Sequence, residues 1–529
     1  MSFPSHDPRH GVPSAPAVRP GAGGQTIISA AAGAGPATAA AAGPGAAHDR
    51  RAFLIRTGLI AASLGGAVGL SGCGLGSSRG GSGSPVAPMP SRTRERLPEE
   101  APPQPMPLVE RFDPPAREPL IRVRVARSAG AKPIVLGGEG SGRQWLRVSR
   151  ATERPGEGAV LLVLAGPLRV DAERNGWSIV DATGHRTLVD GGDPIEIASQ
   201  RGELPRIVVE GTTYPGIVRL VARSRGDVAG MASDGAGVPG VAGGAGVDAI
   251  NVCPMEQYLP GVLARELYAS WNLQTYLAQA IAARSFATFE SLYWASRRHF
   301  DVVAGQASQA YVGLTANSNA NRAARESVGT LLTYANQVVP GYYSSCCGGV
   351  SASAVDAISE HAVNDVPPLR ARPPQACCAW APVFRWTSEQ ASGDAGRRLA
   401  AWSAERQHLR LPAMGQVAAI EPTQVNPYGR PIRFRISDGR GTSAELLAEQ
   451  LRVALNASAP GLAAPTRPVR SGNLSAVLQR GTLVCSGQGF GHGVGLCQHG
   501  AEGMAREGVR WRAIVENYYP GATISRAWA

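Results

Sequence analysis

The chain has 529 residues, more than one ordinary domain needs, and its 66 glycines and 41 prolines crowd into stretches that read as linkers, not core. The formal charge of +12 is carried almost wholly by arginine, Lys132 being the only lysine. These arginines are scattered through ordinary elements with no basic stripe interleaved with aromatics, which speaks against a nucleic-acid partner and suits an anionic envelope surface.

Residues 1–47 are mostly Ala, Gly and Pro without apolar periodicity, so they cannot bury enough surface to offset chain entropy and are expected to be disordered. Residues 48–73 read as an export signal. Asp49-Arg50-Arg51-Ala52-Phe53-Leu54 resembles a twin-arginine motif, with Arg50 and Arg51 as the pair. The apolar run from Leu59 to Leu70 is shorter than the ~20 residues of a membrane span. It closes on Leu70-Ser71-Gly72-Cys73, which resembles a bacterial lipobox with Cys73 as the lipidated residue; an uncleaved anchor helix is the alternative. Acylation at Cys73 would hold the protein to the membrane, each buried methylene contributing about 0.8 kcal/mol. The expectation is therefore an exported protein, lipid-anchored to the cell envelope. Residues 74–119, rich in Gly, Ser, Pro and Arg, would be its tether.

From 120 to 225 short apolar runs such as Ile121-Arg122-Val123-Arg124-Val125 alternate with turn signals such as Asn175-Gly176, predicting a small β-rich domain. A Gly/Ala-rich segment, 226–248, reads as a loop interrupting a hairpin between Ile217–Val221 and Ala249–Val252.

Two helices are predicted next. Leu259, Val262, Leu263, Glu266 and Leu267 fall on one helix face, and Leu273, Leu277, Ala280, Ile281, Arg284 and Thr288 on another. Glu266 and Arg284 are thus charges within apolar stripes, and a buried Glu266–Arg284 ion pair is the plain structural reading. Strands return after Gln416, with helices around 444–455 and 501–518. The fold class is α+β, with mixed helices and strands across 249–529.

Seven cysteines follow Cys73. In an exported protein they read first as disulfides, with Cys346-Cys347 facing Cys377-Cys378, Cys485 facing Cys497 and one thiol left over. A zinc site on Cys346, Cys347, Cys377 and Cys378 is the sharper alternative, although no CxxC pair is present. No other cofactor is expected.

The segment Val252-Cys253-Pro254-Met255-Glu256-Gln257-Tyr258-Leu259-Pro260-Gly261-Val262-Leu263-Ala264-Arg265-Glu266 resembles the opening motif of the SpoIID/LytB family, and Leu277 to Ala287 resembles the stretch that follows it there. Asp301, Gln309-Ala310-Tyr311-Val312-Gly313 and Gly341-Tyr342-Tyr343-Ser344-Ser345-Cys346-Cys347-Gly348-Gly349 resemble its middle motifs, and Gly487 to Ala501 followed by Tyr518-Tyr519-Pro520-Gly521 its close. The departures are Tyr343 where many members carry histidine, Cys347 for a serine, and Cys497 with His499 for Ser and Tyr.

The resemblance implies work on bacterial cell walls. The family's sporulation members are lytic transglycosylases acting on glycan strands stripped of stem peptides, and its LytB branch enhances a wall amidase, a candidate partner. It also implies that Glu266 is the catalytic acid. Such an enzyme needs one carboxyl group: the neutral acid protonates the glycosidic oxygen, then takes the proton of the MurNAc C6 hydroxyl as that oxygen attacks the anomeric carbon. Burial in an apolar stripe would favour a protonated Glu266, and contact with Arg284 would oppose it, so Arg284 is expected to face substrate or another acceptor. His492 and Gln498, in the glycine-rich close, are candidates for binding sugar hydroxyls or N-acetyl groups, with Ser344 and Ser345 on the opposite wall. The alternative function is a non-catalytic glycan-binding lipoprotein or amidase enhancer. A metal-dependent amidase would need a ligand set that His299, His361, His492 and His499 do not supply.

Overall fold

The computed structural model describes residues 111–128, 132–138, 144–200, 205–223, 246–305, 307–404, 406, 411–412 and 414–529. The expected leader, with Arg50, Arg51 and Cys73, and the expected tether up to residue 110 lie outside the described residues, as does most of the 226–248 loop; the end of the expected tether is packed instead, with Phe112 buried in the main core and Glu118 accepting from the Glu256 N–H.

The architecture is mixed α+β. A seven-stranded sheet runs in the order Val302–Val303, Leu120–Arg127, Gly246–Pro254, Ile217–Arg223, Ile195–Ser199, Gln144–Arg150, Val160–Gly166. A six-stranded sheet takes Thr212–Pro215, Arg206–Val209, Ile134–Gly137, Leu168–Glu173, Gly176–Val180 and Arg186–Asp190. Expected as a small domain of its own, the stretch 120–225 is β-rich but not closed off from the residues after it. Leu120–Arg127 and Ile217–Arg223 both hydrogen-bond to Gly246–Pro254, whose first residues were expected to be loop. Their inward side chains Ile121, Val123 and Val218 share one core with Val262, Leu263, Ala280 and Ala283 of the helices.

Helix α1 (Met255–Glu266) and α2 (Leu273–Trp294) are the two that the periodicity predicts. Asn272 caps α2, its side chain accepting from the Gln274 N–H. Helix α3 (Ser318–Glu326) packs against both. Arg284 on α2 is 0 % exposed and faces Glu256, at the start of α1, not Glu266. Its Nε and Nη2 donate to the two carboxylate oxygens at 2.9 and 2.7 Å, and further donors reach Ser327 Oγ and the carbonyls of Thr330 and Ala324. Glu256 Oε1 also accepts from the Gly329 N–H and Trp528 Nε1. The expectation that Arg284 binds substrate is therefore corrected: every direction its fork can reach is taken by protein.

A second core lies between residues 385 and 488. Two three-stranded sheets, Arg385–Ala391 with Thr482–Gln488 and Leu474–Gln479, and Val417–Val425 with Pro431–Asp438 and Ser443–Leu447, enclose helices α4 (Ser392–Ala404) and α5 (Ala448–Leu455). The helix expected over 444–455 starts only at Ala448, because Ser443–Leu447 pairs with Pro431–Asp438 and buries Leu446 opposite Phe434. The chain enters and leaves this unit at one point, where the Gly489 N–H donates to the Phe384 carbonyl at 2.8 Å.

Helices α6 (Gln498–Arg506) and α7 (Trp511–Tyr518) replace the single helix expected over 501–518. The break is at Gly508, whose φ of 85° no helix accommodates. No described helix is long and apolar enough to cross a membrane.

Replacing Arg284 with Met keeps the volume but strands Glu256 in its pocket. The expected loss of folding stability is about 3 kcal/mol or more, read from the urea midpoint; a loss under about 1 kcal/mol would mean that the pair is not structural.

Candidate active site

Glu266 is the last residue of α1, where the helix leaves the core and its carboxylate is half-buried. Two distant segments converge on it. Ala310 donates its backbone N–H to Oε1 at 2.8 Å, and Gln498 donates its side-chain amide to Oε2 at 3.3 Å. Gln498 is 5 % exposed and opens α6. The carboxylate is thus held between a middle motif and the closing motif, and Gln498, expected to bind sugar, is a neighbour of Glu266 itself.

The placement of Ala310 follows from packing around Gly261. A Cβ on Gly261 would stand 2.2 Å from the Gly313 carbonyl oxygen and 2.6 Å from the Tyr311 ring, so only glycine lets the 309–313 segment lie against α1. Gln309 anchors the same segment: its Oε1 accepts from the Tyr258 hydroxyl at 3.0 Å, and its Nε2 donates to the Tyr343 hydroxyl at 3.0 Å and the Ala283 carbonyl at 3.1 Å. Burial pushes both tyrosine hydroxyls well above their ordinary pKa, so they act as neutral groups.

Helix α6 is fixed from its other side. Glu502 is buried and accepts from the Asn272 N–H at 3.0 Å and the Thr275 hydroxyl at 2.8 Å, joining α6 to the start of α2. Between them lies an aromatic group that the sequence did not reveal. The His499 ring sits 5.0 Å from Trp271, 5.3 Å from Trp380 and 6.4 Å from Tyr268, and Tyr268 is 5.1 Å from Trp271. Trp380 is 40 % exposed. Tyr268 follows Glu266 by two residues and His499 follows Gln498 by one, so the group is reached along the chain from both partners of the Gln498–Glu266 hydrogen bond. Aromatic faces of this kind take the C–H faces of sugar rings. These residues were missed because 271, 380 and 499 meet only in the folded chain; the nearness of Tyr268 to Glu266 was the one available signal.

The serines serve this arrangement from the backbone. Tyr343–Ser344 pairs in parallel with Leu496–Cys497. Ser344 is buried, and its Oγ has no hydrogen-bond partner among the described residues. The Ser345 carbonyl accepts from both the backbone N–H and Nδ1 of His499, at 3.0 and 2.8 Å, which fixes the proton on Nδ1. Burial lowers the His499 pKa and favours the neutral ring.

His492 belongs to a different environment. It lines a small cavity with Asp356, Arg430 and Glu449, and its Nδ1 accepts from the Val494 N–H at 3.0 Å, leaving the ring proton on Nε2. Burial pulls its pKa down from 6.5 to about 4. One further carboxyl group stands out: burial raises Glu290, on α2, to about 7, and Trp294 Nε1 donates to it at 3.0 Å.

None of the expected disulfides is present; the described cysteines are all free thiols. Cys485 is buried in the second core, whereas Cys497 lies with Cys346 and Cys378. Cys377, expected with the other doublet cysteines, instead lies 3.4 Å from the Tyr518 hydroxyl.

Residues 244–334, which span α1, α2 and α3 and include Glu266, match the family model described as stage II sporulation protein, SpoIID. Over this segment the chain is similar to the SpoIID family. It is 26 % identical over 290 residues to stage II sporulation protein D of Bacillus subtilis, covering 52 % of this chain and 75 % of that one. It is 22 % identical over 298 residues to the amidase enhancer of Bacillus subtilis, covering 50 % of this chain but only 40 % of the relative. An uncharacterized protein of Brachyspira hyodysenteriae is 26 % identical over 276 residues, or 52 % of this chain and 67 % of the relative. The matched SpoIID segment ends before Ser344, so the closing strand and α6 reach Glu266 from beyond it.

Because the folded pKa of His492 lies below its unfolded value, its burial costs nothing above pH 6.5 and destabilises progressively as pH falls towards 4. Wild type should lose stability relative to His492→Gln across that window and match its trend above it, as followed by denaturant titration at a series of pH values.

Proposed function

We propose that this protein is an exported lytic transglycosylase of the bacterial cell wall, cleaving MurNAc–GlcNAc linkages of peptide-stripped glycan strands and leaving 1,6-anhydroMurNAc ends. The observation that carries the reading is the setting of Glu266: a half-buried carboxyl group at a helix end, gripped by Ala310 and Gln498, with the aromatic group of Tyr268, Trp271, Trp380 and His499 reached along the chain from it and from Gln498. Similarity to a stage II sporulation protein D supports it.

In this mechanism a sugar stacks on Trp380, the exposed ring of the aromatic group, with its glycosidic oxygen towards Glu266. The protonated acid gives its proton to that oxygen as the bond to the anomeric carbon breaks. The carboxylate so formed is stabilised by the Ala310 N–H and the Gln498 amide, two donors already aimed at its oxygens. It then takes the proton of the C6 hydroxyl while O6 bonds to the anomeric carbon, which restores the acid. No water enters the balance.

Incubation with peptide-free glycan strands and mass spectrometry should give anhydro-ended fragments from wild type. Glu266→Gln should lower the rate at least ~100-fold, and Gln498→Ala about tenfold through loss of one charge-assisted hydrogen bond. Glu290→Gln is the control at a carboxyl group away from this arrangement, one that burial raises to about 7, and should retain activity. Similarity over half the chain to an amidase enhancer favours a second reading, a glycan-binding partner of a wall amidase. That reading takes over if wild type releases nothing on any wall substrate yet accelerates an added amidase.

Export through Arg50 and Arg51 and lipid anchoring at Cys73 complete the proposal, supported by the leader sequence. Cys73→Ser should move the protein from the membrane fraction to the soluble envelope fraction and abolish incorporation of labelled palmitate; unchanged fractionation would reject the anchor.

A further inference from the structure

Four buried thiols from three separate stretches meet behind the aromatic group. The Sγ atoms of Cys346, Cys378 and Cys497 lie within 4.8 Å of one another, and Cys347 Sγ is 3.7 Å from Cys378 Sγ. A disulfide needs sulfurs about 2.05 Å apart. Four sulfurs placed ~2.3 Å from a zinc ion stand about 3.8 Å from each other along the tetrahedron's edges. The 3.7 Å separation fits the second arrangement.

Backbone donors are aimed at one of the sulfurs. Cys497 is the N-cap of α6, and its Sγ accepts from the Gly500 N–H and the Cys347 N–H, each at 3.3 Å. Backbone N–H groups bonded to a sulfur are the kind of outer-shell partner that orients a metal-bound ligand. Arg430 supplies an independent sign. It is 3 % exposed and donates to the carbonyls of Cys347, Val350 and His492, with no ion pair to a carboxylate among the described residues. A buried guanidinium favours negative charge nearby, and beside Glu449 and Asp356, which line its cavity, the thiol cluster adjoins the Cys347 carbonyl that it binds. Zinc with four thiolates carries two net negative charges and adds to it.

We infer that Cys346, Cys347, Cys378 and Cys497 bind a zinc ion as a closed tetrathiolate site. Closed coordination leaves no position for substrate or water, so the metal is structural. It ties the turn carrying Cys378, and with it Trp380, to Ser345-Cys346 and to the start of α6. Cys497 directly precedes Gln498, so the metal also holds the residue that faces Glu266; this consequence rests on the proposed role of Glu266, whereas the metal site does not. Cys377, Cys485 and Cys253 take no part: the first lies against Tyr518 and the other two are buried in apolar cores.

The test is elemental analysis of the full chain by plasma mass spectrometry, with thiol titration before and after metal release. The expected result is a stoichiometric zinc, with four thiols becoming reactive only on its removal. Cys378→Ser and Cys497→Ser should lose the metal, while Cys377→Ser and Cys485→Ser keep it. If the first two fail to fold, cobalt substitution of wild type still reads the site, through sulfur-to-cobalt charge-transfer bands and the intense visible bands of a tetrahedral tetrathiolate. Absence of stoichiometric metal, an intact mass showing a Cys347–Cys378 disulfide, or a cobalt spectrum without thiolate bands would each overturn the inference. Restored zinc with no glycan cleavage would sink the functional reading alone.

Discussion

Everything at the candidate site hangs on the ion pair between Arg284 and Glu256. A guanidinium removed from water is tolerable only if its donors are met, and this one is met by a carboxylate on α1 and by two carbonyls and a hydroxyl in and just after the last turn of α3. The pair fixes the rotation of α1 against α2. Once α1 is fixed at its first turn, its last residue, Glu266, has a set direction, and the 309–313 segment can lie along the helix at Gly261. The ion pair is thus remote from the carboxylate it orients and still decides where that carboxylate points.

The two walls of the site divide the work. Helix α1 and the segment behind it supply Glu266 and one hydrogen-bond donor, while α6 supplies Gln498 and His499. Glu502 locks α6 to the start of α2, and the aromatic residues fill the space between. The half of the site named by the matched family segment is complete only with residues that lie more than 150 positions further along the chain. Between the two comes the unit at 385–488 with its own core, joined to the segments around Cys347 and His492 by Asn426, Arg430 and the Arg470 carbonyl as well as at its chain ends.

Much of this was legible in sequence where the determinants are local. The three-and-four spacing located α1 and α2, placed Glu266 and Arg284 on inward faces, and left open that Arg284 would find an acceptor other than Glu266. Glu256 was not recognised as that acceptor because it lies 28 residues away on another helix, and side-chain pairing at that range is a tertiary property. Strand content over 120–225 was readable from alternation, but its continuity with Gly246–Pro254 was hidden by the Gly/Ala-rich segment between them. Propensity erred at 444–447, where good helix formers are drawn into a sheet by Leu446 packing opposite Phe434. The cysteine doublets were conspicuous, yet which thiols meet is set by the parallel pairing of Tyr343–Ser344 with Leu496–Cys497, a contact no spacing rule encodes. His492, expected to bind sugar from its glycine-rich setting, lines a small cavity with Arg430 and Glu449, a neighbourhood that its sequence context does not encode.

The wide separation of the two groups that grip Glu266 also governs timing. Ala310 and Gln498 are 188 positions apart in the numbering, and α6 is made after nearly all of the chain that precedes it. During synthesis α1 and the 309–313 segment can settle long before Gln498 exists, so the carboxylate spends that interval half-assembled. The second contact on the carboxylate is thus one that needs nearly the whole chain to be present.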